Sequence, residues 1–330
     1  MRAAILTRAR TIEVREVPDP EPGPGDVRLR VRYCGLCGSD RMLYSTGALA
    51  GPTTVLGHEI SAVVDLDPTG ALPAGTRVVP YPARGCGECL WCRDGEPSFC
   101  LAPPRPPWAG GLAELVCYPA GNLIPIPSDV DDRTAALAEP LGVAIRAVEA
   151  SGAGSGDLAY VSGLGSIGSL VVAALVALGC RVVGGDPREE RRRLATELGC
   201  EVVLDPTAED AAEAVFGIDP RGARVVLECA GVVGSLQQVF EVCGPRGTVG
   251  IVGVPTGPVL LLRMTVREQR AFSIAGPSPA TMRRALELLR ARPGIARVIT
   301  GVVPLGSAGE ALAGLAAGHG GVKVLVAPGG

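Results

Sequence analysis

The second half of the chain alternates strand-like and helix-like segments, and this alternation restricts the possible folds more than any other feature. From about residue 141, short apolar runs such as LAYVSG, RVVGGD and RVVLECAG are separated by segments with helical periodicity, such as SIGSLVVAALVALG and REERRRLATELG. Strands that are apolar throughout, each followed by a helix, are typical of a parallel sheet covered on both faces. The sequence therefore predicts an α/β domain with a doubly wound parallel sheet.

A glycine motif lies at the first strand-to-helix junction of this region. The segment GLGSIG places Gly163, Gly165 and Gly168 directly after the strand LAYVS and at the start of an apolar helix. Glycines in this context permit a tight turn and a close approach of the backbone to a pyrophosphate, which binds the N–H groups of the helix N-terminus. The motif predicts a dinucleotide site, and a glycine turn without a ligand is the alternative.

The next strand, RVVGGD, ends at Asp186, at about the spacing from the glycine motif that dinucleotide sites show. A carboxylate at this position accepts hydrogen bonds from the hydroxyl groups of the adenosine ribose and repels a 2′-phosphate. The sequence thus predicts NAD in preference to NADP, although Arg188 and Arg191 lie close enough in sequence to attract a phosphate.

The first part of the chain has the pattern of a β-rich domain. Residues 27–33, VRLRVRY, alternate apolar side chains with arginines, as expected for a strand with one buried face. The runs SAVVDLD and TRVVPYP follow, separated by glycine and proline turns. The last segment of the chain has a mixed pattern and could belong to either region.

The segment CGECLWCRDGEPSFC, residues 86–100, contains Cys86, Cys89, Cys92 and Cys100. This spacing suits four thiolates around one tetrahedral ion, and a site with four protein ligands has no position for a substrate. The N-terminal segment lacks the features of a secretory signal, so we expect a reducing, cytoplasmic location in which disulfides are the weaker interpretation. The spacing predicts a structural zinc site, with an iron–sulfur cluster or unligated thiols as alternatives.

Charge and aromatic content bear on the partners of the protein. A net charge of −3 and an aromatic content of 3% provide neither the basic surface nor the stacking side chains of a nucleic-acid-binding protein. The apolar run SLVVAALVAL is shorter than the roughly 20 residues that span a bilayer. We expect a small-molecule substrate, without a nucleic-acid or membrane partner.

A second group of possible ligands lies upstream of the cysteine cluster. His58 in LGHEI is followed by Glu59, and the segment YCGLCGSD contributes Cys37, Ser39 and Asp40. A thiolate, an imidazole and a carboxylate supplied by loops suit a catalytic zinc ion that keeps one position for water or substrate. The alternative for His58 is a half-buried histidine with satisfied hydrogen bonds.

Six segments together resemble the zinc-dependent medium-chain alcohol dehydrogenases, especially their polyol, sugar and threonine dehydrogenase branch. The segments are GPGDVRLRVRYCGLCGSD, VLGHE, CGECLWCRDGEPSFC, GGLAELV, LAEPLGVAIRAVE and GLGSIG. The resemblance implies a GroES-like catalytic domain at 1–140 with a structural zinc lobe at 84–101, a Rossmann NAD-binding domain at 141–276, and a return segment at 277–330 that completes the catalytic domain. It also implies a homodimer or homotetramer, for which GPVLLL at 257–262 is a candidate sheet edge.

The same resemblance implies a function and a set of zinc ligands. The family oxidises secondary alcohols with NAD at a catalytic zinc ion and carries a second, structural zinc ion. Cys37 and His58 match the catalytic ligands, and Glu59 and Glu139 occupy the two positions at which the branch supplies a carboxylate. Asp40 matches the carboxylate that orients the histidine ligand.

Further positions match substrate and cofactor contacts of the family. Ser39 matches the residue that contacts the substrate hydroxyl, and Lys323 falls near a basic position close to the pyrophosphate. Many relatives have a histidine where this chain has Met42, so we expect the substrate proton to leave through Ser39 and the nicotinamide ribose, or through water near Glu59. The cofactor-binding positions are Gly163, Gly165, Ser166, Ile167, Gly168, Asp186, Arg191, Val252, Gly253 and Val254.

Two other functions stay open at this point. A zinc-free quinone or enoyl reductase of the same superfamily would need neither the cysteine cluster nor the group around His58. A non-catalytic, zinc-stapled nucleotide-binding protein would leave that second group unexplained. Among alcohols, the sequence does not distinguish polyols, sugars, cyclitols, aminocyclitols and amino alcohols.

Overall fold

The computed structural model describes residues 1–103, 110–254 and 261–329. The strands are β1 (Arg2–Arg8), β2 (Thr11–Glu16), β3 (Asp26–Gly35), β4 (Glu59–Leu66), β5 (Arg77–Pro80), β6 (Leu115–Pro119), β7 (Leu123–Pro125), β8 (Leu158–Ser162), β9 (Arg181–Gly185), β10 (Val202–Leu204), β11 (Ala223–Glu228), β12 (Cys243–Ile251), β13 (Arg270–Ser273), β14 (Ile299–Pro304) and β15 (Lys323–Ala327). The α-helices are α1 (Gly38–Thr46), α2 (Leu90–Arg93), α3 (Asp132–Ala135), α4 (Ala138–Ser151), α5 (Ser166–Leu178), α6 (Glu189–Glu197), α7 (Ala211–Ile218), α8 (Val233–Val242), α9 (Leu262–Val266), α10 (Pro279–Ala291) and α11 (Ala308–Ala316).

The chain divides into two units, one formed by Met1–Glu139 with Ser278–Gly330 and the other by Pro140–Pro277. We call them the first and the second unit. Within the three described ranges, no helix has the length and apolar character needed to cross a membrane.

The first unit is organised around the long strand β3. Val27, Leu29 and Val31 are buried, whereas the arginines between them face outward, as the alternation predicted. The seven-stranded sheet has the order β14-β15-β3-β4-β5-β7, and β6 also pairs with β3. Strand β15 pairs antiparallel with β3, so the C-terminal segment shares a sheet with the N-terminal strands.

The second unit contains a six-stranded parallel sheet of order β10-β9-β8-β11-β12-β13. All five residues of β8 are buried, which explains why this strand is apolar throughout. The strand order reverses between β8 and β11, and in such sheets ligands bind beyond the carboxyl ends of the strands at the point of reversal. This sheet confirms the predicted doubly wound α/β fold.

One sequence-based prediction falls partly outside the described residues. In the candidate sheet edge at 257–262, residues 257–260 lie outside them, and Leu262 begins α9 rather than continuing a strand. The prediction of a strand up to residue 262 is therefore wrong. The edge of the parallel sheet nearest to this segment in the sequence is β13, which follows α9 after a short turn, and β10 forms the other edge.

Candidate metal centres and cofactor site

Asp40 joins the two segments that carry Cys37 and His58. Its carboxylate is buried, with Oδ2 accepting a hydrogen bond from the N–H of Cys37 at 3.0 Å and Oδ1 accepting one from the N–H of Gly57 at 3.0 Å. The Nδ1 atom of His58 lies 3.8 Å from Oδ1, beyond hydrogen-bond distance. In this geometry Asp40 positions the backbone on both sides of the site rather than bonding directly to the imidazole ring.

Cys37, His58 and Glu59 place their ligand atoms within 4.8 Å of one another. Burial lowers the pKa of His58, but the hydrogen bond to Cys37 and the charge of Asp40 outweigh it and hold the pKa well above its usual value. Surroundings that stabilise a positive charge on the ring also stabilise a metal cation beside it. A thiolate, an imidazole and a carboxylate at this spacing fit a zinc ion, with a fourth position for a substrate.

Glu59, the carboxylate of this group, forms a fully buried pair with Lys323. The ammonium Nζ donates to both carboxylate oxygens at 2.7 Å and to the carbonyl oxygen of Leu36 at 3.0 Å. Only glycine fits at position 35, because a Cβ atom on Gly35 would collide with the Glu59 carboxylate. All three of these hydrogen bonds lie inside the first unit, and the expectation that Lys323 lies near the cofactor pyrophosphate stays a prediction.

The second candidate carboxylate, Glu139, is buried in the first turn of α4 but does not belong to the group of three close ligand atoms. Burial raises the pKa of Glu139 to about 7, against the opposing effect of the nearby His58 charge. The geometry therefore favours Glu59 over Glu139 as the carboxylate beside Cys37 and His58.

Two further predicted positions lie on α1. Ser39 is exposed on the first turn of this helix, and Met42 is 52% exposed.

Four of the predicted ligands form a separate group in the first unit. The ligand atoms of Cys86, Cys89, Cys92 and Cys100 lie within 4.8 Å of one another, with Sγ–Sγ distances of 4.0 Å and 3.9 Å in the pairs Cys86–Cys92 and Cys89–Cys100. Sulfur ligands about 2.3 Å from one tetrahedral ion are roughly 3.8 Å apart, so these distances fit a single zinc ion better than a larger iron–sulfur cluster. All eleven cysteines of the chain are described, and all are free thiols.

The second unit has a cavity of about 560 Å³ at the glycine motif. Gly163 has a φ of +87°, and a Cβ atom on it would lie 2.6 Å from the Cα of Ala230, so the turn requires glycine. Four of the predicted cofactor positions line the cavity: Gly163, Gly165, Asp186 and Arg191. The structure thus brings the motif and the carboxylate of the next strand to one pocket.

Asp186 is held by the protein on both carboxylate oxygens. Oδ2 accepts from the N–H of Leu164 at 2.9 Å and from Nη1 of Arg191 at 3.3 Å, and Oδ1 accepts from the N–H of Arg188 at 2.9 Å. The Nε atom of Arg191 is buried and has no hydrogen-bond partner among the described residues. The pocket therefore combines one fixed carboxylate with guanidinium groups.

The other predicted cofactor positions do not line this cavity. Ser166, Ile167 and Gly168 lie in the first turn of α5, where a Cβ atom on Gly168 would collide with the carbonyl oxygen of Gly163. Val252 and Gly253 donate their N–H groups to the carbonyl oxygen of Glu228 at 2.9 Å, and Val254 is 79% exposed. Sequence reasoning missed Glu228, although its position at the end of a parallel strand was a usable signal.

The chain is similar to known proteins along most of its length. Family models for an alcohol dehydrogenase GroES-like domain and for a zinc-binding dehydrogenase match residues 23–128 and 166–291. A sorbitol dehydrogenase of Halalkalibacterium halodurans is 31% identical over 88% of each chain, and an L-threonine 3-dehydrogenase of Pyrococcus horikoshii is 32% identical over 76% of this chain and 74% of its own. The solved structure of a zinc-binding dehydrogenase from Sinorhizobium meliloti 1021, bound to NADP, is 33% identical, covers 99% of both chains and superposes with a TM-score of 0.89.

Proposed function

The chain belongs to the zinc-dependent medium-chain alcohol dehydrogenase family, as its motifs predicted, and we propose from this premise which of its residues carry the reaction. It is an oxidoreductase that acts on alcohol groups with a nicotinamide cofactor. This function excludes the non-catalytic alternative, and the zinc-free reductase would leave Cys37, His58 and Glu59 without a role. The proposed substrate is a secondary alcohol of the polyol, sugar, cyclitol or amino alcohol class.

The catalytic zinc ion is held by Cys37, His58 and Glu59. The single observation that carries this assignment is the approach of their three ligand atoms to within 4.8 Å, at a position where Asp40 fixes both supporting segments. When bound there, zinc supplies a Lewis acid that lowers the pKa of the substrate hydroxyl. Glu139 is the alternative carboxylate ligand, because its buried side chain is close enough to His58 and Glu59 to interact with their charges.

Ser39 is the proposed proton acceptor. It lies two residues after Cys37 on the exposed first turn of α1, so its hydroxyl can accept the proton of the alcohol and pass it to the nicotinamide ribose or to water. Met42 has a thioether, which carries no proton at neutral pH. The proton must therefore leave by the hydroxyl route or through water beside Glu59.

The second zinc ion is structural and is bound by Cys86, Cys89, Cys92 and Cys100. The close thiol spacing supports this assignment, as do the N–H groups that point at the sulfur atoms: that of Cys86 donates to Cys100 at 3.2 Å, and that of Cys89 donates to Cys86 at 3.3 Å. Such hydrogen bonds stabilise thiolates, which are the zinc-binding form.

NAD is the proposed cofactor in preference to NADP, because Asp186 places a fixed carboxylate in the pocket for the adenosine ribose. The similar protein from Sinorhizobium meliloti was solved with NADP, and Arg188 and Arg191 also line this pocket. Repulsion between the Asp186 carboxylate and the 2′-phosphate of NADP competes with the attraction of that phosphate by the two arginines. A higher kcat/KM with NADP than with NAD would contradict the proposal.

A dimer formed through the second unit is the proposed assembly. Strand β13 is one of the two edges of the parallel sheet, opposite β10, and its residues are largely exposed. An edge with free N–H and C=O groups can extend its sheet by pairing with a second copy about a two-fold axis. Light scattering at micromolar concentration should give at least twice the monomer mass.

The proposed function is tested by metal analysis and turnover on matched variants. Protein purified without added metal should contain two zinc ions per chain and should form NADH with some members of a panel of polyols, cyclitols and amino alcohols. Cys37→Ser should stay folded, lose one zinc ion and lose turnover. Cys117→Ser should keep two zinc ions and normal turnover, because Cys117 is outside both ligand groups. Full turnover by Cys37→Ser would refute the assignment.

A further inference from the structure

Glu228 is a fully buried carboxylate in the interior of the second unit. It lies at the carboxyl end of β11 and is 0% exposed. Within the described ranges, its carboxylate accepts hydrogen bonds from uncharged groups. Burial of a carboxylate costs several kcal/mol unless hydrogen bonds replace its hydration, so the contacts of this side chain determine its role.

The side chain and the backbone of Glu228 bind two different turns. Its Oε1 atom accepts hydrogen bonds from the N–H groups of Ala230 at 2.9 Å and Gly231 at 2.8 Å, and from the hydroxyl of Ser235 at 2.7 Å. Its carbonyl oxygen accepts the N–H groups of the turn after β12, at Val252 and Gly253. One residue therefore connects the turn between β11 and α8 to the turn after β12.

The second carboxylate oxygen is enclosed by the same two turns. A Cβ atom on Gly253 would lie 2.6 Å from Oε2 and a similar distance from Gly231, so the turn after β12 requires glycine at this position. Oε2 has no hydrogen-bond partner within residues 110–254 or the other described ranges. The close fit means that a change at Glu228 is transmitted to both turns.

These turns form part of the cofactor cavity. Ala230 and Ser235, two of the three residues bound by Oε1, line it. Ala230 also supports the glycine motif, because the position of a Cβ atom on Gly163 is only 2.6 Å from the Cα of Ala230. A displacement of the turn after β11 would therefore deform the cavity at two places, at that turn and at the glycine motif after β8.

From these contacts we infer that Glu228 is a positioning residue for the nicotinamide cofactor, through the turns that it holds. The inference rests on the proposed function, because it takes the cavity at Gly163 as the cofactor site. It assigns Glu228 no contact with the cofactor and no part in the hydride transfer. Its effect should appear in cofactor affinity and in the KM for NAD, with kcat at saturating NAD nearly unchanged.

The test measures NADH binding by fluorescence titration on the zinc-containing full chain. Glu228→Ala removes the acceptor for three donors and should weaken NADH binding roughly 10- to 100-fold, since hydrogen bonds to a charged acceptor contribute strongly. Glu228→Gln keeps an oxygen at the Oε1 position and should recover most of the affinity. Ser235→Ala removes one of the three bonds and should weaken binding by about 3- to 10-fold.

Controls separate positioning from general stability. Glu241→Ala removes an exposed carboxylate on the same helix as Ser235 and should bind NADH like the wild type. If Glu228→Ala fails to fold, Ser235→Ala and Glu228→Gln decide, because Ser235 is half-exposed and its truncation removes only a hydroxyl group. Variants that lose thermal stability but bind NADH with unchanged affinity would overturn the inference. Wild-type protein that binds neither NADH nor NADPH would instead refute the proposed function itself.

Discussion

Replacement of Lys323 by methionine should strongly destabilise the first unit. The pair of Lys323 and Glu59 is 1% and 0% exposed, and the ammonium donates to both carboxylate oxygens at 2.7 Å. Methionine has a similar length but no charge, so Glu59 would lose the buried ammonium that binds both of its oxygens. Removing one partner of a buried pair costs about 3–5 kcal/mol, and the bond to Leu36 adds about 1 kcal/mol.

Urea unfolding, followed by fluorescence in one zinc-containing buffer, measures this loss. With an m-value of about 2 kcal/mol/M, the midpoint of Lys323→Met should fall by roughly 2–3 M relative to the wild type. The matched control is Arg15→Met, which breaks the exposed pair of Arg15 and Glu13, in which both side chains are 46% exposed. Exposed pairs contribute about 0–1 kcal/mol, so this midpoint should hardly move. Equal shifts in the two variants would refute the argument from burial.

Three further outcomes follow from the geometry. Cys89→Ser should lower the zinc content by one ion per chain and increase protease cleavage near residues 86–100, while turnover per folded molecule persists; unchanged zinc content would contradict the four-cysteine site. Ser39→Ala should lower kcat for alcohol oxidation by roughly 10²-fold, and near-normal turnover from pH 6 to 10 would instead favour the water route beside Glu59. Burial raises the pKa of Asp65, but hydrogen bonds from Arg28 and Arg30 outweigh it and lower that pKa overall. The contribution of the Asp65 carboxylate to folding stability is then present above the unfolded pKa of about 3.9 and disappears as the pH falls through the folded pKa. The urea midpoints of Asp65→Asn and the wild type should therefore differ at pH 7 and converge in acid.

The local patterns of the sequence were sufficient to predict the layers of the fold. Continuous apolar runs such as LAYVS became buried parallel strands, and the alternation in VRLRVRY placed Val27, Leu29 and Val31 inside. Partners of distant strands could not be predicted in this way. Periodicity shows which face of a strand is buried but carries no information on its neighbour. The pairing of β15 with β3 was therefore not predicted, and the family resemblance implied only that the C-terminal segment completes the catalytic domain.

Ligand groups were predictable where the chemistry is local in sequence. Cys86, Cys89, Cys92 and Cys100 are close because a short loop brings them together. The role of Asp40 was harder to predict from the sequence, because its carboxylate binds two backbone N–H groups whose directions depend on the path of the chain. The hydrogen bonds of Glu228 depend in the same way on turns that residue types alone do not define.

The pair of Lys323 and Glu59 also explains an unusual feature of the composition. Of the 31 basic residues, 30 are arginine, and Lys323 is the single lysine. An ammonium group has three donors, and the buried site offers three acceptors: the two oxygens of Glu59 and the carbonyl oxygen of Leu36. A guanidinium group has five donors in a wider, planar arrangement, so arginine would bring at least two unsatisfied donors and extra volume into a site that is 1% exposed. At exposed positions water satisfies the additional donors of arginine, so the number of donors does not decide between the two residues there.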